Sequence, residues 1–115
     1  MRAGEPPTDP DDDARARRER LVEHVLRVVE SVPPGRVTTY GAVAAVVGGG
    51  PRRVGSVLAQ HGGPVPWWRV VRADGTLPPS HGERAASAYR REGTPRRTDG
   101  RPDLRAAFWD PAADD

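Results

Sequence analysis

Aromatic and arginine side chains, rather than nucleophiles, are the groups in this sequence that could do chemistry. Trp67 and Trp68 stand side by side after Pro66, and they are two of the three tryptophans in the chain. Cysteine and lysine are both absent, which excludes thiolate catalysis, a disulfide framework and the lysine of a phosphate-binding loop. The three histidines are scattered without metal-ligand spacing. The sequence therefore favours a binding protein with no metal and no cofactor over an enzyme.

Positive charge is concentrated in the middle of the chain. All 18 basic residues are arginines. Seven acidic residues lie in the terminal segments: Glu5, Asp9, Asp11, Asp12, Asp13, Asp114 and Asp115. The planar guanidinium group suits phosphates and stacking, so the clustering favours phosphate contacts, although a compositional bias towards arginine explains the total count equally well.

The 115 residues suit a single small domain with flanking segments. Residues 1–13 are a Pro/Asp-rich run without apolar periodicity, which predicts a disordered acidic tail. Residues 14–95 form the predicted domain, and residues 96–115 form a C-terminal extension. No apolar run approaches the length of a membrane span, and the charged N-terminus lacks the hydrophobic stretch of a secretory signal. We expect a monomeric, cytoplasmic protein with no membrane partner.

The pattern predicts two helices before the glycine run at residues 48–50. The first spans residues 14–32, and a Pro-Pro-Gly sequence ends it. Its single buried stripe consists of Leu21, Val25, Val28, Val29 and Val32. Thr38 or Thr39 can cap a second helix that runs to about residue 47. The inner face of that helix consists of Val43, Ala44 and Val47.

A third helix is predicted from Pro51 to about residue 60. Its apolar face consists of Val54, Val57 and Leu58. Two short helices joined by a glycine turn, the second with an arginine at its start, indicate a helix-turn-helix. The other face carries the small residues Gly55, Ser56 and Ala59, which let a helix approach a DNA backbone closely. From the pattern alone, an ordinary helical hairpin is the alternative.

An extended segment, a turn and a short helix are predicted in the second half of the domain. Residues 65–72 are apolar and extended, and alternation there sends the rings of Trp67 and Trp68 to opposite sides. The Asp-Gly turn signal that follows predicts that residues 76–77 return as a hairpin arm. Residues 83–91 form the last helix, and residues 103–111 can dock back on the domain. The inner face of the last helix consists of Ala85, Ala86 and Tyr89. The predicted fold class is α+β and mainly helical: a winged-helix-like DNA-binding domain with a helix-turn-helix and a short hairpin.

Four motifs, in this order and at this spacing, resemble the O6-alkylguanine-DNA alkyltransferase family. They are VPPGRVTTYG at residues 32–41, RRVG at 52–55, PWWRVV at 66–71 and EG at 92–93. That family keeps its alkyl-accepting cysteine in a Pro-Cys-His-Arg-Val segment, at the position of Trp67. An indole cannot act as the thiolate nucleophile that alkyl transfer needs. The resemblance therefore implies an alkyltransferase-like protein, which binds the damaged base and does not repair it.

The resemblance also assigns residues to DNA binding: Thr39, Tyr40, Gly41, Arg52, Arg53, Gly55 and Ser56. Tyr40 matches the tyrosine that presses on the phosphate of the damaged nucleotide and helps to rotate it out of the duplex. Arg52 matches the arginine finger that fills the gap left by the flipped base. Arg53 is explained equally well as a phosphate contact or as a solvated surface charge.

An alkylguanine pocket is implied as well, formed by Tyr40, Trp67, Trp68, Arg69, Val70, Ser80 and Glu92. Trp67 is its predicted wall. Trp68 stands where the family has a histidine, which in active members relays a proton between the cysteine and a glutamate matched by Glu92. Without that relay, Glu92 is expected to bond the backbone or a core polar group. Ser80 replaces a pocket tyrosine, which opens the pocket on that side.

The function implied by the resemblance is non-enzymatic recognition of O6-alkylguanine in duplex DNA by nucleotide flipping, followed by handover to nucleotide excision repair. No catalytic residue is assigned. The alternative is a helix-turn-helix transcription regulator that reads undamaged DNA. Such a regulator needs base-reading side chains along the third helix, where only Arg52, Arg53 and Gln60 qualify.

Overall fold

The structure, a computed structural model, describes residues 10–78 and 81–113. Its helices are α1 (Pro10–Ser31), α2 (Tyr40–Val47), α3 (Gly50–His61), α4 (Gly82–Glu92) and α5 (Leu104–Ala107). Two short strands, β1 (Thr38–Thr39) and β2 (Val70–Val71), and a 3₁₀ turn at Trp67–Arg69 complete the described elements. No helix in the described ranges is long and apolar enough to cross a membrane.

Helix α1 begins at Pro10, four positions before the predicted start. Proline fits the first turn of a helix, and the carboxylates of Asp11, Asp12 and Asp13 lie in that turn, where the helix dipole favours negative charge. The prediction of disorder is therefore wrong for residues 10–13. Residues 1–9 of the predicted acidic tail lie outside the described residues.

The helix-turn-helix is formed by α2 and α3. The Thr39 hydroxyl caps α2 by accepting a hydrogen bond from the Ala42 amide, at 3.0 Å. Between the helices, Gly48, Gly49 and Gly50 all have positive φ angles (86°, 85° and 81°), a region that residues with a side chain rarely adopt. The core between α1, α2 and α3 is made of Val25, Val29, Val43, Ala44, Val54, Val57 and Leu58. These include the predicted apolar face of α3, while Val47 of α2 is only partly buried.

The two strands pair in parallel, with Thr38 opposite Val70 and Thr39 opposite Val71. This pairing confirms a mainly helical α+β fold with a small sheet, whereas the predicted hairpin arm at residues 76–77 forms a turn and no strand. After β2 the chain turns with two backbone hydrogen bonds: the Arg72 amide donates to the Thr76 carbonyl at 2.9 Å, and the Gly75 amide donates to the Arg72 carbonyl at 2.8 Å. No strand follows within the part of the chain that the structure describes.

A second, smaller core lies under the C-terminal half. Helix α4 buries Ala85, Ala88 and Tyr89, so Ala88 takes the inner position predicted for Ala86. The segment after α4 docks on the domain, as its apolar residues predicted: the Val37 amide donates to the Ala107 carbonyl at 3.0 Å. The Trp109 amide donates in turn to the Val37 carbonyl at 2.7 Å. This strand-like contact fixes the C-terminal segment beside β1.

Candidate nucleic-acid interface

A cleft of about 180 Å³ opens between α3 and the segment that leads into α4. Its walls are Tyr40, Gly55, Leu58, Ala59, Gly62, Gly63, Trp67, Leu77, Pro78, His81 and Arg84. Three residues assigned from the sequence meet here: Tyr40 and Trp67 from the predicted pocket, and Gly55 from the predicted DNA-contacting face. The cleft is therefore bounded on one side by α3 of the helix-turn-helix and on another by an indole ring.

Trp67 is surrounded by other ring and guanidinium groups. Its ring centroid lies 5.5 Å from that of Trp68, in an edge-to-face arrangement, and 4.9 Å from that of His81. The guanidinium carbon of Arg84 lies 5.8 Å from the Trp67 centroid, within the range of a cation–π contact. The sequence did not single out His81 or Arg84 as pocket residues. Arg84 lies on the outer face of a predicted helix, where an arginine normally indicates only a solvated side chain.

Tyr40 begins α2 and lines the cleft. Burial raises the pKa of the Tyr40 phenol, and the positive charge of Arg72 opposes that rise only in part. The hydroxyl is therefore protonated at neutral pH. A protonated phenol can donate a hydrogen bond to a phosphate oxygen, which a phenolate could not do.

Trp68, Arg69 and Glu92 form a partly buried network away from the cleft. The indole N–H of Trp68 donates to Glu92 Oε1 at 3.0 Å, and the Gly35 amide donates to Oε2 at 3.3 Å. The Arg69 guanidinium contacts both carboxylate oxygens through Nε at 3.2 Å and forms an ion pair through Nη2. It also donates from Nη1 to the Val32 carbonyl at 2.9 Å. The network ties α4 to the end of α1 and to the 3₁₀ turn.

The network corrects the predicted pocket. Trp68, Arg69 and Glu92 are engaged with one another and do not line the cleft. Val70 is fully buried in the core under α1–α3, and its side chain does not line the cleft. Glu92 bonds both a backbone amide and polar side chains, in agreement with the prediction. Ser80 lies outside the described residues.

The carboxylate of Glu92 is held in its ionised form. Burial alone would raise the pKa of Glu92, but hydrogen bonds from Arg69, Trp68 and Gly35 outweigh it and lower the pKa. A carboxylate that is already saturated with donors is poorly suited to relay a proton. In the structure, the carboxylate joins α4 to the 3₁₀ turn and to the segment after α1.

The other predicted DNA-contacting residues lie on α2 and α3. Arg52, Arg53 and Ser56 are exposed on α3, and Gly41 is exposed on the first turn of α2. Thr39 uses its hydroxyl to cap α2. Arg52 and Arg53 make no ion pair within the described ranges. Both guanidinium groups are therefore available to an external anion.

Helices α2 and α3 with their glycine turn, the small sheet beside them and α4 behind it form a winged helix-turn-helix DNA-binding domain. The family model "6-O-methylguanine DNA methyltransferase, DNA binding domain" matches residues 20–94. The chain belongs to this family, and within it is an alkyltransferase-like protein.

Similar proteins include both base-flipping proteins and an alkyltransferase. The chain is 36% identical over 72 residues to the DNA base-flipping protein of Escherichia coli (strain K12), a match covering 59% of this chain and 56% of that protein. It is 45% identical over 53 residues to the methylated-DNA–protein-cysteine methyltransferase of Methanothermobacter thermautotrophicus, covering 44% of this chain and 30% of that enzyme. The match thus spans little more than half the length of the base-flipping protein and less than a third of the length of the methyltransferase.

A solved structure of similar fold is that of S. pombe Atl1 in complex with damaged DNA containing O6-carboxymethylguanine. The two share a TM-score of 0.68 and 28% sequence identity, over 79% of this chain and 95% of that one. A second S. pombe ATL structure in complex with DNA has a TM-score of 0.67 and 26% identity over the same shares.

Proposed function

We propose that this protein binds duplex DNA and holds a flipped O6-alkylguanine in the cleft walled by Trp67, without chemical repair. The observation that carries the proposal is the position of Trp67. Its indole lines a cleft that Tyr40 and α3 also line, in a chain without any cysteine. A planar base can stack on an indole, and no thiolate is present to accept its alkyl group.

Flipping has an energetic cost that the cleft must offset. Unstacking and unpairing a nucleotide costs a few kcal/mol, and less at a damaged, poorly paired base. Contact between a base and an aromatic ring returns roughly 1–3 kcal/mol. The balance therefore favours a lesion over an intact pair, and this difference supplies part of the selectivity. Arg52, exposed at the start of α3, would fill the gap that the base leaves.

His81 and Arg84 add to the predicted pocket because both line the cleft and contact Trp67. We propose that they contact the base or its O6 substituent after flipping. Arg84 brings a positive charge to this wall and has no ion-pair partner within the described ranges.

The absence of chemistry follows from the whole site and not from one substitution. The position of the alkyl acceptor is Trp67, and the position of the relay histidine is Trp68. Glu92, the remaining member, is paired with Arg69. A protein that holds a damaged nucleotide without repairing it would mark the position of the lesion. We propose that it does so as a monomer, and that nucleotide excision repair proteins bind the resulting complex.

Two measurements test the proposal. The first is the Kd for matched duplexes that differ by a single O6-methylguanine, and we expect tighter binding to the lesion. Equal affinities would contradict lesion recognition and favour a regulator that reads undamaged DNA. The second is incubation with DNA carrying radiolabelled O6-methylguanine, in which all label should stay in the DNA. Covalent label on the protein would contradict a non-enzymatic role.

A further inference from the structure

A second cleft, of about 390 Å³, lies between the N-terminal half of α1 and the turn that joins α2 to α3. Arginines come to it from two directions: Arg17 and Arg18 from α1, and Arg53 from the first turn of α3. Among the described residues, no acidic side chain lines this cleft. All three arginines are exposed, and none makes an ion pair within the described part of the chain.

The position of Arg17 and Arg18 on α1 is not explained by packing. From Leu21 onwards, the inner stripe of α1 is apolar and contacts the core through Val25 and Val29. Positions three and four residues apart share a helix face, so Arg17 and Arg18 continue that same stripe by one turn towards the N-terminus. The core ends at Leu21, and the stripe therefore changes from apolar to basic where α1 extends beyond it.

Grouping three like charges around one cleft costs free energy unless an anion occupies it. The rim of the cleft includes Gly48 and Gly49, which carry no side chains and leave room for a close approach. Arg53 immediately follows Arg52, the residue proposed to enter the duplex. A polyanion that is bound along α3 would therefore pass next to the cleft.

We propose that Arg17 and Arg18 of α1, together with Arg53, bind phosphates of the DNA backbone beside the flipped nucleotide. This surface extends the DNA-binding face from α3 along α1. It is bounded at the far end by Asp11, Asp12 and Asp13 in the first turn of α1. On its other side lies a groove that Arg18 and Arg53 also line, together with Arg15, Glu19 and Glu23. The proposed surface is therefore limited to the cleft side of Arg18 and Arg53.

The proposal rests on the proposed function for its partner, duplex DNA, and for the position of the flipped nucleotide. Phosphate contacts carry no sequence or lesion information. The surface should therefore strengthen binding to damaged and intact DNA by the same factor, and its contribution should weaken with salt because bound counterions are released from the DNA.

The test compares two double variants of α1 with the same change of charge. In Arg17→Gln/Arg18→Gln the cleft loses two guanidinium groups. In the control Arg20→Gln/Arg27→Gln, the same helix loses two exposed arginines that do not line the cleft. Glutamine and arginine have similar helix propensities, and circular dichroism checks that α1 is retained in both variants.

The readout is the dependence of Kd on salt, measured for intact and O6-methylguanine duplexes. Plotting the logarithm of the association constant against the logarithm of the salt concentration gives a negative slope. For Arg17→Gln/Arg18→Gln we expect the magnitude of this slope to decrease by about 2, close to one unit per lost phosphate contact. The ratio of the two affinities should stay at the wild-type value, and the control should keep the wild-type slope. Shortening the duplex on one side of the lesion should remove the difference between wild type and the cleft variant.

Equal slope changes in the two variants would overturn the proposal, because the loss of overall positive charge would then explain the effect. Unchanged slopes in both variants would also overturn it, because the arginines of the cleft would then make no phosphate contacts. A changed lesion preference without a changed slope would overturn it as well. A different result would contradict the proposed function: wild-type protein that binds O6-methylguanine and intact duplexes with equal affinity. In that case, a lower slope for the cleft variant alone would still support this surface as a DNA-binding site.

Discussion

Trp67 and Trp68 are adjacent and chemically identical, but they belong to two different regions. Trp67 faces the cleft and contacts His81 and Arg84. Trp68 belongs to the network with Arg69 and Glu92, which we call the scaffold. Its indole N–H donates to Glu92, and its carbonyl accepts a hydrogen bond from the Tyr89 hydroxyl at 2.6 Å. A 3₁₀ turn has three residues per turn, so neighbouring side chains point about 120° apart. Two residues that are adjacent in the sequence therefore have different surroundings: one lines the cleft and the other belongs to the scaffold.

The two regions also differ in how they use arginine. In the scaffold, the charge of Arg69 is neutralised by Glu92, with side-chain exposures of 13% and 11%. On the proposed DNA-binding side, Arg52, Arg53 and Arg84 have no ion-pair partner within the described ranges. Paired arginine stabilises the fold, whereas unpaired arginine is available to a ligand. Substitutions in the two regions should therefore change different measurements.

The largest effect is expected when the scaffold ion pair is broken. Arg69→Met leaves the Glu92 carboxylate largely buried without its cation, which should lower the free energy of unfolding by about 3–5 kcal/mol. Denaturant unfolding measures this loss. The control Arg90→Met removes an exposed arginine of α4 and should cost no more than about 0.5 kcal/mol. Equal stabilities of the two variants would show that the network is not a structural support.

The tryptophan pair gives the sharpest separation of the two regions. Trp67→Ala should weaken binding to lesion DNA by roughly 1–3 kcal/mol, because base stacking is lost, and should leave binding to intact DNA nearly unchanged. Trp68→Phe should keep the lesion preference but lower the free energy of unfolding by about 1.5–3 kcal/mol, because Glu92 loses a hydrogen bond to a charged group. Loss of lesion preference in Trp68→Phe would contradict the division between the two residues.

A smaller difference is expected between two arginines of the proposed DNA-binding side. Arg52→Ala should weaken binding to lesion DNA more than binding to intact DNA, because the finger fills a gap that only flipping creates. Arg53→Ala should weaken both about equally and lower the salt slope by about one unit. If Arg52→Ala reduces both affinities by the same factor, the finger role is wrong and Arg52 is another phosphate contact.

The smallest effect is a dependence of stability on pH. The pKa of Glu92 is lowered in the folded protein, where hydrogen bonds from Arg69, Trp68 and Gly35 outweigh the effect of burial. Its contribution is therefore complete above the usual glutamate pKa of about 4.3 and is lost as the pH falls through the lowered folded value. The stability difference between wild type and Glu92→Gln should accordingly shrink in acid. A stability difference between the two proteins that stays constant from neutral pH to well below the usual glutamate pKa would contradict a lowered pKa of Glu92.

The helices were largely predictable because their signals are local. The Thr39 cap, the glycine turn and the apolar faces of α1 and α3 depend on residues within one or two turns of each other. The sequence did not predict that residues 70–71 pair in parallel with β1, more than 30 positions earlier in the chain. Local patterns cannot indicate such a pairing. The start of α1 was misplaced because acidic residues, read as a solvated tail, also suit a helical first turn.

By itself, the sequence determined that no alkyl transfer through cysteine is possible, that a helix-turn-helix with exposed arginines is present, and that Trp67 occupies the position of the acceptor. Residue types and short spacings are sufficient for each of these statements. Only the tertiary structure decided which neighbours share the cleft. Trp68, Arg69 and Glu92 form a network because a buried carboxylate needs donors from several elements. His81 and Arg84 contact Trp67 because tertiary packing brings the start of α4 beside the 3₁₀ turn.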